Sequence, residues 1–184
     1  NIMGTGMWST SFAIVTARTR KLLKRFAATP MPRAAYLASL IGSRLAFLVL
    51  EGVVLVAFAW LSFGVVVHGS LAALAVVSLL GALAFGGIAL LVASRARTVE
   101  GVSGLLNLVM LPMWVFSGVF FASSNFPEAM QPFVQALPLT ALNDALRGVM
   151  NDGETLASLW RELALLAAWG GVSFAAALKL FRWS

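Results

Sequence analysis

The chain contains 184 residues, of which 60% are hydrophobic and 11% are charged, and its mean hydropathy is +0.92. Soluble domains are about half apolar and about a quarter charged, and disordered chains are more polar still, so this composition excludes both classes. The chain has no cysteine and one histidine, which excludes disulfide frameworks, thiolate metal sites and cysteine nucleophiles.

Five apolar segments are candidates for membrane-spanning helices, because a helix needs about 20 apolar residues to cross a hydrocarbon core about 30 Å thick. Residues 45–94 carry a single formal charge, Glu51, and are too long for one span, so we place a turn at residues 67–70. The pattern predicts an all-α, polytopic transmembrane bundle in a single domain. Its predicted spans are residues 1–17 (short for a full span), 45–67, 71–94, 101–122 and 156–178.

The basic residues predict the orientation of these spans. Eleven of the thirteen lysines and arginines fall in alternate connections or after the last span, as expected for the cytoplasmic side. The connection 123–155 carries four acidic residues and one arginine, so we place it outside, with the N-terminus outside and the C-terminus cytoplasmic. Because topology accounts for the basic residues, we expect membrane lipids as partners and no nucleic acid.

The connection between the first two segments contains a basic amphipathic stretch. Leu22, Leu23 and Phe26 fall at helical spacing, and Arg18, Lys21 and Arg25 occupy another face. The prolines at 30 and 32 then stop the helix. Two interpretations remain open: a helix lying on anionic lipid, or a short cytoplasmic helix docked into a partner protein.

The region after residue 101 combines apolar residues with helix breakers. Pro112 lies inside the third complete span, and three further prolines punctuate the apolar stretch 125–138. Such a stretch is too apolar for a solvated loop and too broken for a span. It predicts two short helices over residues 125–137, re-entering the outer leaflet and divided near Pro132.

The order of these features resembles the permease subunits of type-two ABC transporters, the ABC-2 exporter family. The basic helix with Thr29-Pro30, then Tyr36-Leu37, the spans, the stretch 116–121, Pro138-Leu139-Thr140 and finally 144–147 carry the resemblance. It implies six spans, of which the first lies upstream of this chain, and a location in a bacterial-type inner membrane. It also implies a permease dimer driven by an ABC ATPase, with residues 18–35 as the coupling helix and 125–147 as paired extracellular helices.

The chain contains no phosphate-binding loop, so we expect no cofactor in it and no enzymatic activity of its own, with ATP bound by the partner. The expected function is export of a hydrophobic or amphipathic substrate, a drug, lipid or glycan, by alternating access. The alternatives are a polysaccharide or glycolipid exporter of the same fold, or a secondary transporter. A secondary transporter usually has internal repeats, and none is visible in this chain.

The candidate functional residues form three groups. Glu51 is expected a turn or two from the cytoplasmic end of its span, where it forms an ion pair with Arg44 or serves the transport pathway. Trp114, Phe116, Phe120 and Phe121 form an aromatic belt or line an exit. The complete sets are ATPase-coupling residues Arg18, Lys21, Leu22, Leu23, Arg25 and Phe26; intramembrane polar residues Arg44 and Glu51; and gate residues Trp114, Phe120, Phe121, Leu137, Pro138, Leu139 and Thr140.

Overall fold

The computed structural model describes residues 2–20, 33–63, 68–96, 98–118 and 127–180, and this described part is helical, without strands. The prediction of an all-α bundle is therefore confirmed. The helices are α1 (Ile2–Thr19), α2 (Arg33–Phe63), α3 (Leu71–Arg95), α4 (Val99–Phe116), α5 (Gln131–Ala136), α6 (Pro138–Arg147) and α7 (Trp160–Leu180).

Four of the described helices are long and apolar enough to cross a membrane, namely α2, over its part Leu45–Ser62, α3, α4 and α7. The predicted short first segment corresponds to α1, which has the same 18-residue length as α4 but is not among these four. Helix α2 begins at Arg33, twelve residues before the predicted start of its span. The sequence between Arg33 and Leu45 contains no helix breaker other than one glycine, so the helix continues through the predicted connection.

Helix α3 is the centre of the bundle, with α1 and α7 packed beside it in the same direction. Ser11 of α1 donates a buried hydrogen bond of 3.1 Å to the Ala89 carbonyl of α3. Between α3 and α7 the backbones approach so closely that a Cβ on Gly87 would lie 2.9 Å from the Gly170 carbonyl oxygen. Small residues permit this approach, as is common where packing in lipid depends on van der Waals contact.

The charged residues divide between two ends of the bundle. Arg18, Arg95 and Lys179 lie in the last turns of α1, α3 and α7, at what we call the basic end. The opposite end, which we call the acidic end, carries α5, α6 and the π-helical segment Gly148–Asp152. The backbone amide of His68 donates to the Met150 carbonyl at 3.1 Å, which joins the turn before α3 to this π segment.

The short helices break at a different residue from the predicted one. A 3-10 turn, Glu128–Met130, runs directly into α5, and the next break falls at Leu137, whose backbone is extended (φ −71°, ψ 135°). Pro132 lies in the first turn of α5, where a missing N–H costs no helical hydrogen bond. Leu137 precedes Pro138, and a proline disfavours the helical conformation of the residue before it. The predicted division at Pro132 was therefore wrong by five residues.

Candidate functional site

Arg18 joins the end of α1 to the connection between α3 and α4. Its Nη1 atom donates to the carbonyl of Ala93 at 3.0 Å and to that of Ala96 at 2.6 Å. Ala96 is the C-cap of α3, and Thr98, two residues later, is the N-cap of α4. A charged donor shared by two carbonyls at a helix end makes a strong, directional link in a setting of low dielectric constant.

This position differs from the predicted one, in which Arg18 opened a separate coupling helix. Helix α1 continues through Thr19, because no breaker separates it from the basic stretch, and Arg18 is half-buried in its last turn. The other predicted coupling residues, Lys21, Leu22, Leu23, Arg25 and Phe26, lie outside the described residues.

Glu51 lies near the middle of α2 and contacts the first turns of α1. Its carboxylate accepts a hydrogen bond of 3.3 Å from the Thr5 hydroxyl, three residues after the start of α1. Because α2 begins at Arg33, Glu51 is 18 residues along the helix, or about 27 Å from its start. The apolar part of α2 begins at Leu45, six residues before Glu51, so the expected position a turn or two into the span stays a prediction. The side chain of the predicted partner Arg44 lies outside what the structure describes.

At the acidic end, two side chains of α6 donate hydrogen bonds to the backbone carbonyls of the two residues that follow α4. The side-chain amide of Asn143 donates to the Ser117 carbonyl at 3.2 Å, and Arg147 donates through Nη2 to the Gly118 carbonyl at 3.1 Å. These two side chains are four residues apart and so share one face of α6. Arg147 thus reaches the carbonyl just after the end of α4, and Arg18 reaches the last carbonyls of α3, in the short connection before α4 begins.

The predicted gate residues of α6 are packed inside the bundle. Leu137, Pro138, Leu139 and Thr140 are all buried, and Leu139 belongs to the central hydrophobic core. Their burial explains why the first turn of α6 is apolar. These four residues therefore pack the start of α6 against the rest of the bundle.

Two of the predicted aromatic residues lie at the end of α4, close to the start of α6. Trp114 is 37% exposed, and Phe116 packs edge-on against Phe133 of α5 with ring centroids 6.2 Å apart. The other two predicted members of the aromatic cluster, Phe120 and Phe121, lie outside the described residues. The contact of Phe116 fixes α5 to the end of α4.

The Asp144 carboxyl lies on α6, the helix that also carries Asn143 and Arg147. Partial burial raises its pKa above the ordinary value of 3.8, Arg147 opposes this rise, and Glu162 adds to it. Asp144 is therefore held at some cost in its charged form.

A cavity of about 410 Å³ lies between α1, α2, α3 and α7, about halfway along these helices, and it is open to the outside, since its lining residues Leu83 and Phe174 are exposed. Its walls are apolar apart from the hydroxyl of Thr10, and its lining includes Leu83, Gly86, Leu166, Gly171 and Phe174. A space of this size and lining accepts an apolar group and offers a charged one no partner.

Three contacts that position these elements were missed in the sequence. Ser11 and Asn143 were not singled out, and neither was Trp169, whose indole N–H donates to the Ala136 carbonyl at 2.9 Å. Each polar group bonds a backbone carbonyl on another element, and no local pattern identifies such a partner. The only signal in the sequence was a polar side chain among apolar neighbours, which indicates that a hydrogen-bond partner is needed but not which one.

The structure defines a polytopic helical membrane protein whose polar links concentrate at the two ends of the bundle. Among the described residues, no group of three or more His, Cys, Asp or Glu side chains is placed to hold a metal ion. The family model described as ABC-2 type transporter matches residues 1–151. The chain therefore belongs to the ABC-2 type transporter family, and the resemblance found in the sequence is confirmed.

Curated relatives agree with this assignment. The chain is 25% identical over 183 residues to the inner membrane transport permease YhhJ of Escherichia coli K12, covering 99% of this chain and 49% of that protein. It is 29% identical over 131 residues to the linearmycin resistance permease protein LnrN of Bacillus subtilis 168, covering 71% and 34%. It is 33% identical over 113 residues to nodulation protein J of Bradyrhizobium diazoefficiens, covering 61% and 42%.

The chain thus spans about half the length, or less, of the curated relatives that it matches. No solved structure matches it. The family, the relatives and the apolar helices together make the chain an integral inner-membrane protein of the ABC-2 type transporter family.

Proposed function

We propose that this chain is part of the membrane-spanning subunit of an ATP-driven exporter, which moves an apolar or amphipathic substrate by alternating access. It works as a dimer with an ABC ATPase, and the basic end of the bundle faces the cytoplasm. Membership of the ABC-2 family supports a permease role, and the absence of a phosphate-binding loop from the sequence requires that ATP be hydrolysed elsewhere.

The observation that carries the proposal is the placement of the longest connection at the basic end. Residues 21–32 link α1 to α2 there, whereas the α3–α4 connection at the same end comprises only residues 96–98. Of these two connections, residues 21–32 therefore offer a partner ATPase the longer segment to engage. Its apolar residues Leu22, Leu23 and Phe26 are suited to a buried interface, in which a few anchors supply most of the binding energy.

The cavity supports the substrate class. Its apolar walls and its place about halfway along the helices suit a hydrocarbon or aromatic group, and no ionisable side chain lies among its lining residues. Phosphate groups and unshielded sugars would lose hydration there without compensation.

The coupling experiment replaces Leu22 and Phe26 with Asp in the full-length permease produced with its ATPase. If these side chains insert into the ATPase, buried charge should weaken binding by at least about 4 kcal/mol for the pair, taking about 2 kcal/mol for each hot-spot anchor. The ATPase should then no longer co-purify, and its hydrolysis of ATP should no longer respond to the permease, while the amount of permease in the membrane is unchanged.

The matched control replaces Lys21 and Arg25 with Gln in the same stretch. Exposed rim charges mostly alter association rate, so this variant should retain the ATPase with a modest loss. Undiminished co-purification and permease-dependent hydrolysis in the Asp variant would instead place the stretch on the lipid surface.

A further inference from the structure

Helix α4 differs from the other apolar helices in how it is held. Its buried residues are Val102, Leu106, Met110 and Met113, which form a single narrow stripe along one side. Of the directional polar contacts described above, one lies just before α4, on the last carbonyls of α3, and the others lie just after it, with about 27 Å of helix between them for 18 residues. Among the described residues, no polar contact joins the middle of α4 to another helix, so this part of the helix can shift along the apolar stripe.

The contact just before α4, on the last carbonyls of α3, comes from a residue close in sequence to the candidate coupling segment. Arg18 lies three residues before Lys21, and its guanidinium holds the Ala93 and Ala96 carbonyls. A displacement of the connection 21–32 therefore acts on the end of α1 and, through Arg18, on the turn from which α4 begins. Thr98 continues this link, because its hydroxyl caps α4 by accepting from the Gly101 amide at 3.0 Å.

The contact after α4 leads to the short helices of the acidic end. Arg147 and Asn143 hold the Gly118 and Ser117 carbonyls, and both belong to α6. Pro112, one turn before the end of α4, cannot donate the usual hydrogen bond and gives the helix a place to bend. Motion of the end of α4 therefore reaches α6 through these two side chains.

We propose that α4 is the transmission element of this permease and that Arg18 and Arg147 are the positioning residues at its two ends. Arg18 passes movement of the coupling connection to the start of α4, and Arg147 passes movement of its end to α6, at the acidic end. The proposal rests on the proposed function and adds to it the route between the two sides of the membrane. The physical basis is a helix with discrete end contacts and a sliding apolar stripe, as in shear motions of packed helices.

The test uses the full-length permease with its ATPase in lipid nanodiscs and needs no transport substrate. Native cysteines elsewhere in the transporter are replaced by Ser, and spin labels are attached at Leu71→Cys and Gln135→Cys in one protomer, two exposed positions at the acidic end. The distance between the labels is measured without nucleotide and after trapping with ATP and vanadate, and ATP hydrolysis is measured on the same samples.

Arg18→Met and Arg147→Met remove the guanidinium donors while keeping an apolar stem. Each should reduce the fraction of molecules that change distance by about tenfold, which is within the usual range of coupling between sites. ATP hydrolysis should stay within about twofold of the parent, because neither change removes the coupling connection or the ATPase. Arg18→Lys and Arg147→Lys, which keep a cationic donor, should restore a substantial part of the response.

The double variant decides between transmission and two independent structural roles. Residues that act in series are not additive, so Arg18→Met with Arg147→Met should lose no more of the response than either single change. Arg95→Met and Arg161→Met are the controls, since both arginines are exposed and lie at the same two ends, and they should leave the response unchanged.

Three outcomes would overturn the inference: an undiminished distance change in both single Met variants, losses that add in the double variant, or losses that Lys does not restore. A parent transporter that neither binds an ATPase nor changes distance with ATP would overturn the proposed function itself. Those results are distinct, because the first three require a parent that responds to ATP.

Discussion

Neighbouring glycines at the middle of α3 should respond to alanine in opposite ways. A Cβ added to Gly87 would lie 2.9 Å from the Gly170 carbonyl oxygen, whereas a Cβ added to Gly86 would meet nothing within 4 Å. Since ordinary van der Waals contact begins near 3.4 Å, Gly87→Ala requires α3 and α7 to separate by about half an ångström. Overpacking of this kind typically costs about 1–3 kcal/mol.

Gly86→Ala is the control in the adjacent position, and it should gain up to about 1 kcal/mol because alanine favours the helix more than glycine. The helix gain is common to both variants and cancels, so their free energies of unfolding should differ by the packing cost alone, about 1–3 kcal/mol. The same contrast is expected in α7, where a Cβ on Gly170 would lie 3.3 Å from the Ala84 Cα, and one on Gly171 would meet nothing within 4 Å.

The assay is thermal denaturation of the full-length permease in detergent, read by the size-exclusion peak that survives heating. Gly87→Ala should melt below the parent and Gly86→Ala at or above it. If both variants melted at the same temperature, the close approach of α3 and α7 would not be the basis of their packing.

Two further predictions concern orientation and the intramembrane acid. Because basic residues mark the cytoplasmic side, reporter fusions after Ser70 and Asp152 should report the exterior, and a fusion after Arg97 should report the cytoplasm. A cytoplasmic signal at Asp152 would contradict both the topology and the coupling route. Glu51→Gln retains an oxygen that accepts from the Thr5 hydroxyl, so its stability should lie within about 1 kcal/mol of the parent. Glu51→Leu leaves the Thr5 hydroxyl without that acceptor and should lose about 1–3 kcal/mol in the same melting assay. Equal melting temperatures of the two variants would show that this hydrogen bond is dispensable.

The sequence predicted individual helices best where both ends carry a local signal. Helix α3 was predicted at 71–94 and found at Leu71–Arg95, because Ser70 caps its start, with its hydroxyl accepting from the Ala72 amide, and basic residues follow its end. Helix α2 lacked such a signal at its start, so hydropathy located the apolar part and missed the helical turns before it. The break at Leu137 was not predicted for a related reason. A proline can begin a helix or force the residue before it out of the helical conformation, and the sequence does not distinguish the two.

The candidate site was less predictable because its contacts are remote along the chain. The distance in sequence from Arg18 to Ala93 is 75 residues, and from Asn143 to Ser117 it is 26 residues. A basic residue after an apolar segment suggests only that it faces water or headgroups. Whether it instead reaches the carbonyls of another helix depends on packing that composition and periodicity do not encode.

The shared direction of α1, α3 and α7 has an electrostatic consequence. Each helix dipole places about half a negative charge at its C-terminal end, so the three C-termini contribute roughly −1.5 charges at the basic end, and the starts of α2 and α4 at the same end offset only roughly 1.0 of these. Arg18, Arg95 and Lys179 sit in those last turns and offset that charge. The residues that orient the chain in the membrane thus also neutralise the field of its helices, and reversing their charge would act against insertion and packing at once.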